Sequence, residues 1–148
     1  MSRFQTIQNN LAVVIGVGGG LGAALLAQLR QSGAYGKVLA LGRSAEVQLD
    51  YLDDGSIARA AQQVARACAE TACELRMLVV ATGFLHGEQG QPERSWSHLD
   101  VAYLQHVFAI NTIGPALVMK HFLPLLPKSR PLRGGLRVGQ SRLEGAPC

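Results

Sequence analysis

The feature that most constrains this chain is an apolar run that enters a cluster of glycines and leaves it as a helical pattern. Residues 11–15 are all apolar, and the segment 16–22 contains five glycines. Glycines let backbone N–H groups approach a pyrophosphate, and the N-terminus of the following helix attracts its negative charge. This strand–turn–helix pattern is typical of a nucleotide-binding βαβ unit. It predicts phosphate contacts from Gly16, Gly18, Gly19, Gly20, Leu21 and Gly22.

Two other interpretations of this segment stay open. Residues 11–29 carry no charge and contain two G-x-x-x-G pairs, which a transmembrane helix could also show. Their glycine content would make such a helix poorly hydrophobic, and no signal-peptide cleavage pattern follows. A methyltransferase would need an acidic residue at the end of the strand, and residues 13–15 provide none.

The charge distribution limits the expected partners. The chain has 148 residues, and we expect one dinucleotide-binding domain over residues 1–127 and an irregular basic tail over residues 128–148. Residues 1–127 carry nine basic and nine acidic side chains, so the net charge of +4 comes from the tail. A basic tail is not a basic face of a folded domain, so neither nucleic acid nor a membrane is an expected partner.

The cysteines favour a reducing compartment. Cys68, Cys73 and Cys148 are odd in number and form no C-x-x-C pair, and no histidine stands at metal-ligand spacing. We therefore expect no metal site, reduced thiols and a cytoplasmic location.

Strand patterns alternate with helical patterns along residues 11–127. This alternation predicts an α/β fold with a doubly wound, Rossmann-like parallel sheet in three layers, although an incomplete one. Further strands are predicted at residues 37–41, 47–50 and 75–82, the last fully apolar and buried on both faces. Helices are predicted at residues 20–32, after a cap at Ser56, and at residues 97–123.

Two motifs are more specific than this alternation. Gly16, Gly20 and Gly22 form G-x-x-x-G-x-G, and residues 111–115 read N-x-x-G-P. On these residues the chain resembles the short-chain dehydrogenase/reductase family, whose phosphate loop reads T-G-x-x-x-G-[IL]-G, with Ile15 in place of the usual threonine. The resemblance covers residues 11 to about 127 and implies a nicotinamide dinucleotide cofactor.

Arg43 bears on the choice between the two dinucleotides. It stands 21 residues beyond Gly22, just after the second predicted strand. An acidic side chain there would bind the ribose 2′-hydroxyl of NAD, whereas an arginine suits the 2′-phosphate of NADP. Arg43 therefore favours NADP over NAD, and a solvated Arg43 paired with Glu46 is the alternative.

The resemblance places two further segments beside the cofactor. Asp50 stands where the family has an aspartate that meets the adenine amino group, and the alternative is a turn-forming aspartate. Ala81, Thr82 and Gly83 stand where the family commonly has N-A-G near the cofactor ribose. Among the histidines, His86 alone falls near the expected cofactor edge of the sheet.

Asn111 is the candidate catalytic residue. Pro115 cannot donate a hydrogen bond to the carbonyl four residues earlier, which belongs to Asn111. A kinked helix with an inward carbonyl able to hold a water is therefore predicted. The resemblance implies that Asn111 anchors a water-borne proton relay to a catalytic lysine, and a satisfied core amide is the alternative.

The rest of the family's catalytic set is missing from these 148 residues. No lysine stands four residues after any tyrosine, so there is no Y-x-x-x-K pair. The loss of periodicity after Pro127 predicts a truncation, an internal deletion or a frame change. Residues 136–139 faintly resemble the C-factor-like subgroup, in which case Ser141 would be a displaced form of its serine.

These observations predict the cofactor-binding half of an NADP-preferring oxidoreductase. A complete relative would transfer hydride between the nicotinamide and a carbonyl or secondary alcohol. Without the tyrosine and the lysine, this chain is expected to be inactive. The alternative is a non-catalytic dinucleotide-binding or interaction module. The long helix could also support a homo-oligomer, because related enzymes commonly pair through it.

Overall fold

The architecture is an α/β sandwich around one parallel sheet. A computed structural model describes residues 9–88 and 90–128. Ser141, Cys148 and residues 136–139 lie outside the described residues. The sheet has four parallel strands in the order β3-β2-β1-β4, and the Rossmann-like α/β fold predicted from the sequence is confirmed. The strands are β1 (Asn10–Ile15), β2 (Lys37–Gly42), β3 (Val47–Gln48) and β4 (Glu74–Val80).

Helical segments connect and follow these strands. The α-helices are α1 (Gly20–Ser32), α2 (Asp54–Thr71), α3 (Val101–Phe108) and α4 (Gly114–Phe122). A π-helical turn, Ala109–Ile113, joins α3 to α4. Short 3₁₀ turns lie at Trp96–His98 and Leu123–Leu125.

Strand β1 is the centre of the core. Its alternate residues Leu11, Val13 and Ile15 are fully buried in a cluster with α2 and α4, to which Ile57 and Phe122 contribute. The residues between them, Ala12 and Val14, are also fully buried, and α1 packs against β1 and β2. Because successive side chains of a strand point to opposite faces, the helices form a layer on each face of the sheet.

The order of the strands creates a switch point at β1. One crossover leads from β1 through α1 to β2, and the chain later returns through α2 to place β4 on the other side of β1. At such a reversal the loops after the two strands separate and leave a crevice at their carboxyl ends. The fold therefore offers a binding cleft after β1 and β4.

Helix α1 has the predicted bounds, while the predicted start of α2 is wrong. Gly33 ends α1 in the left-handed region, at φ 61°. Residues 11–29 form a strand, a turn and a helix, and therefore not one membrane-spanning helix. The cap of α2 is Asp53, whose carboxylate accepts from the Gly55 N–H at 2.8 Å. The predicted cap, Ser56, instead accepts through Oγ from the Asp50 N–H.

Strand β4 is less buried than predicted. Met77, Leu78 and Val79 are only half-buried, because β4 pairs with β1 alone among the described residues. The strand is also not fully apolar, since it contains Arg76, which lies 3.6 Å from Glu74. The predicted burial on both faces is therefore wrong for the part of the chain that the structure describes.

The long predicted helix is divided into pieces. Residues 97–100 precede α3, and the π-helical turn separates α3 from α4 around the Asn111–Pro115 motif. The stretch Val101–Leu125 is long and apolar enough to cross a membrane by length and composition, a test that core helices of soluble proteins also pass.

Candidate functional site: a cleft at the carboxyl end of the sheet

A cleft of about 760 Å³ lies where the strands end. It is lined by the turn after β1, the loop after β2, the turn after β3 and the loop after β4, together with part of the helix that follows. These are the loops that meet at the switch point of a doubly wound sheet. Of the residues predicted to bind cofactor, the structure brings together Gly16, Gly18, Gly19, Arg43, Asp50, Ala81, Thr82 and Gly83.

The turn after β1 is held close to its neighbours on both sides. Gly16 has a φ of +89°, and its N–H donates to the Leu41 carbonyl at 3.0 Å. A Cβ at Gly16 would lie 2.7 Å from Cγ2 of Thr82, closer than real side chains approach. Glycine is therefore required at this position by both its conformation and the approach of the β4 loop.

The N-terminus of α1 faces this turn. Its cap, Gly19, has no side chain to satisfy the first N–H groups of the helix, and no acidic residue stands in the first turn. No side chain at the start of α1 therefore balances the positive end of the helix dipole. A pyrophosphate would fit such a site, because backbone N–H groups and the dipole both favour an anion.

The remaining residues of the motif do not line the cleft. Gly20 and Leu21 lie on the first turn of α1, and Leu21 is 56% exposed. Gly22 is buried, and a Cβ there would overlap the carbonyl oxygen of Gly16. Gly22 therefore acts by letting the helix pack against the turn.

Arg43 lies at the cleft, next to Ser44. The sequence alternative paired Arg43 with Glu46, but Glu46 lies 3.4 Å from Arg30 instead. Among residues 9–88 and 90–128 Arg43 forms no ion pair. Its guanidinium therefore has no carboxylate partner within the described part of the chain.

Asp50 both shapes its turn and lines the cleft. Its Oδ1 accepts from the Leu52 N–H at 2.9 Å, as a turn-forming aspartate would. The Asp50 N–H in turn donates to Ser56 Oγ at 3.0 Å. The structure thus shows the turn-forming role, and the contact with adenine stays a prediction.

Asn111 does not line the cleft but fixes a loop that does. Its Oδ1 accepts from the Phe84 N–H at 2.8 Å, and its Nδ2 donates to the Phe84 carbonyl at 2.7 Å. Both polar atoms of the Asn111 side chain therefore bind the backbone of Phe84, in the loop after β4. Within the π-helical turn, the Gly114 N–H reaches back five residues to the Ala109 carbonyl. Such turns are frequent at functional sites.

Several lining residues were not predicted from the sequence. His106, not His86, is the histidine that lines the cleft. Its ring meets Phe84 edge to face at a centroid distance of 4.6 Å. His106 stands four residues before Ile110 and therefore on the same helix face. This spacing is the sequence signal that could have predicted their common position. The other missed residues are Val17, Gly42, Ser44, Ala45, Leu49, Tyr51, Leu52, Phe84 and Ile110.

Two hydroxyls in the cleft wall, Tyr51 Oη and Thr82 Oγ1, are buried beside each other. Burial raises the pKa of Tyr51 to about 12, and a hydrogen bond with the Thr82 side chain partly opposes that shift. The Tyr51 ring lies against Gly114, where a Cβ would overlap the ring.

Sequence comparisons identify no relative. No family model matches the chain, and no curated protein sequence matches it. The similarity to known proteins therefore lies in the fold.

Solved structures share this fold. An NADPH-bound carbonyl reductase from chicken fatty liver is 20% identical with a TM-score of 0.65, over 79% of this chain and 48% of that one. A double mutant of a Serratia marcescens short-chain dehydrogenase/reductase is 20% identical with a TM-score of 0.63, over 82% of this chain and 53% of that one. The putative carbonyl reductase Sniffer of Caenorhabditis elegans is 21% identical with a TM-score of 0.60, over 79% and 52%. The chain thus spans about half the length of these structures, and the similarity shows a fold common to short-chain dehydrogenase/reductases.

Proposed function

We propose that this chain is the dinucleotide-binding half of a short-chain dehydrogenase/reductase and that it binds NADP in preference to NAD. The observation that carries the proposal is the cleft in which the glycine turn, Arg43 and Asp50 meet the end of β4. A glycine turn at a switch point can bind a dinucleotide, and one of the structural neighbours is described as NADPH-bound.

The pyrophosphate would lie on the turn formed by Gly16, Gly18 and Gly19. The left-handed conformation of Gly16 and the uncapped N-terminus of α1 support this placement. Gly20 and Leu21 would contribute their N–H groups from the first turn of α1, and Gly22 would support the turn from behind. Asp50 would contact the adenine, and Ala81, Thr82 and Gly83 would lie beside a ribose.

The 2′-phosphate of NADP would lie against Arg43. The guanidinium has no carboxylate partner among the described residues, and the Ser44 hydroxyl stands beside it in the cleft lining. A guanidinium donates paired hydrogen bonds to a phosphate, whereas NAD offers only a hydroxyl there. This difference supports NADP over NAD.

The chemistry proposed for a complete relative is hydride transfer between the nicotinamide and a carbonyl or secondary alcohol. Asn111 would act through its backbone carbonyl, because its side chain already binds the backbone of Phe84. Pro115 has no N–H to donate to that carbonyl. These 148 residues contain no Y-x-x-x-K pair, so we propose that this chain binds the cofactor without turnover. The C-factor-like relationship and a role for Ser141 belong to the same proposal and rest on sequence resemblance alone. A cytoplasmic location is also part of this proposal, and it rests on the cysteine usage.

Calorimetric titration with NADPH and NADH tests the proposal. Wild-type protein should bind NADPH more tightly, and Arg43→Ala should weaken NADPH binding about tenfold while changing NADH binding little. Arg59→Ala is the matched control, because Arg59 is exposed, pairs with Asp53 and does not line the cleft. Equal loss for both dinucleotides would refute the role of Arg43. NADPH-dependent reduction of a carbonyl by this polypeptide would refute the proposed inactivity.

A second candidate function is a non-catalytic interaction module. Apolar side chains on the Val101–Leu125 stretch are exposed, with Val101 at 70% and Phe108 at 57%. Strand β4 also has one edge unpaired within the described residues. Such surfaces favour association, including pairing of two copies. Concentration-dependent self-association in sedimentation, without any dinucleotide binding, would favour this function over the first.

A further inference from the structure

The way in which α2 ends brings two cysteines together, far from the cleft. Ala72 has the left-handed conformation, at φ 51°, and its N–H donates to the Ala69 carbonyl at 3.4 Å. The Cys73 N–H donates to the Cys68 carbonyl at 3.0 Å. These two bonds form a Schellman motif, in which the side chains at the positions of Cys68 and Cys73 frequently make contact.

The backbone places this pair within reach of a disulfide. Because the Cys73 nitrogen lies 3.0 Å from the Cys68 oxygen, standard bond lengths keep the two Cα atoms within about 7 Å of each other. Cysteines farther apart than this cannot be bridged without movement of the backbone. Both side chains are half-buried thiols that pack against the same hydrophobic core cluster. They therefore lie on the same side of the helix end.

The surroundings give the two thiols different roles. Burial raises the pKa of the Cys68 thiol, and the neighbouring Cys73 thiol adds to that shift. A backbone hydrogen bond from Leu75 and the charge of Lys37 oppose it in part. A thiol attacks as the thiolate, so Cys68 is a poor nucleophile toward a reagent in solution. Attack from solution is therefore assigned to Cys73, whose Sγ lies 3.5 Å from the Thr71 carbonyl in the link after α2.

We propose that Cys68 and Cys73 form a redox-active dithiol, which a small disulfide such as oxidised glutathione converts to an intramolecular disulfide. The Cys73 thiolate attacks one glutathione sulfur, forms a mixed disulfide and displaces a glutathione thiolate, which takes up a proton. The Cys68 thiolate then attacks the Cys73 sulfur, forms the internal bond and displaces the second glutathione. The two cysteines lose two electrons and two protons in total, and the glutathione disulfide gains them.

The disulfide would link the last turn of α2 to the start of β4. Cys73 directly precedes β4, and the Glu74 N–H donates to the carbonyl of Asn9, just before β1, at 2.8 Å. A link between positions that the fold already holds together restricts the unfolded chain more than the folded one. Oxidation should therefore raise Tm by several degrees. The cleft lies at the opposite, carboxyl end of β4, so this inference does not depend on the proposed function.

Mass spectrometry of the oxidised protein identifies the bond. The full chain, with Cys148→Ser so that the third thiol cannot react, is incubated in a glutathione redox buffer and its remaining thiols are alkylated. Cleavage after Arg66 and Arg76 leaves one peptide, 67–76, with both cysteines. This peptide should carry no alkyl group and be lighter than its reduced form by two hydrogen atoms. Further cleavage after Glu70 should leave its two halves joined.

Two controls show whether the fold positions the pair. Cys68→Ser and Cys73→Ser should each gain at most one glutathione, and oxidation should not raise their Tm. At a fixed concentration of reduced glutathione, half-oxidation of the native dithiol should need about tenfold less oxidised glutathione than in denaturing urea. Wild-type protein gives the same 67–76 peptide if Cys148→Ser does not fold.

Three results would overturn the dithiol. The first is a protein that carries glutathione on both cysteines and forms no internal bond. The second is half-oxidation at the same glutathione ratio in native buffer and in urea, because the fold would then not position the thiols. The third is a Tm that falls on oxidation, because the bond would then distort the end of α2. None of these results would bear on dinucleotide binding, which calorimetry with NADPH tests separately.

Discussion

The two walls of the cleft differ in how completely they are packed. On the β1 side every residue of segment 11–15 is fully buried, and β1 has a strand neighbour on each edge. On the β4 side Met77 to Val79 are half-buried, and the following helical stretch exposes Val101 and Phe108. The glycine-turn end of the cleft is therefore closely packed within the described residues. The β4 loop, which Asn111 holds, relies on a few specific contacts.

Because of this difference, the glycine turn and the β4 loop should tolerate substitutions differently. Close backbone packing holds the glycine turn, and a single atom added at Gly16 or Gly22 meets fixed backbone. Hydrogen bonds from one amide hold the β4 loop. We expect substitutions to cost most stability at the glycine turn and progressively less toward exposed charges.

The largest effect is expected from Gly22→Val. The added side chain would overlap the Gly16 carbonyl, and backbone cannot move aside cheaply, so the free energy of unfolding should fall by about 3 kcal/mol. Urea denaturation measures this loss. Gly20→Ala is the matched control, because a Cβ there meets nothing within 4 Å. It should be neutral or slightly stabilising. Similar losses for both variants would show that the turn is not closely packed.

A somewhat smaller effect is expected from Gly114→Ala, which tests the contact between the start of α4 and the turn after β3. Its Cβ would overlap the Tyr51 ring, which is a side chain and can yield more than backbone, so we expect a loss of about 2 kcal/mol. Combining it with Tyr51→Ala removes the obstacle. The double variant should then be clearly more stable than the sum of the two single losses predicts. Simple additivity would mean that Tyr51 does not pack on this glycine.

Asn111→Ala should destabilise the protein by about 2 kcal/mol, because it leaves the N–H and carbonyl of Phe84 without their partners. Urea denaturation, compared with Thr112→Ala at the exposed neighbouring position, measures the difference. Hydrogen exchange at the Phe84 amide should also become faster. Equal, small losses of unfolding free energy in both variants would contradict this structural role of Asn111.

The smallest effect concerns the ion pairs between α2 and α4. Hydrogen bonds from Lys120, at 2.9 Å, and His121, at 2.6 Å, hold the pKa of Asp54 below its ordinary value of 3.8. A lowered folded-state pKa means that this stabilisation is present above the unfolded value and is lost as the pH falls through the folded value. Asp54 and Lys120 are exposed, so the contribution is small and sensitive to salt.

Asp54→Asn tests that pH dependence. The difference in unfolding free energy between wild type and this variant should be present near about pH 6 and shrink below about pH 4. Urea denaturation over this range, at low and at high salt, provides the measurement. A difference that stays constant at acidic pH would contradict the assigned ion pairs.

Local signals predicted much of the fold and part of the candidate site. Helix α1 has its predicted bounds because glycines mark both of its ends. Arg43 and Asp50 reach the cleft because the carboxyl ends of parallel strands share one edge of a sheet. The cap of α2 was missed because Asp53 and Ser56 are both capping residues, and only the fold decides which one accepts from an N–H of the helix.

Other features depend on distant contacts that periodicity does not report. The incomplete burial of β4 depends on which strands lie beside it, and the apolar run at residues 77–80 does not report those neighbours. The place of Tyr51 depends on Gly114, more than sixty residues away in the chain. Pro115 predicted a disturbed helix, but its residue pattern does not predict the π-helical form of the turn.

A thermal melt of the chain with and without NADPH tests the proposed cofactor binding most directly. Binding to the native state alone raises the midpoint, so NADPH at about 100 times its Kd should add about 2.7 kcal/mol and raise Tm by about 5–10 °C. NADH at the same concentration should raise it less, because Arg43 then has no phosphate to bind. A cooperative transition whose midpoint neither dinucleotide changes would contradict the proposal that this cleft binds NADP.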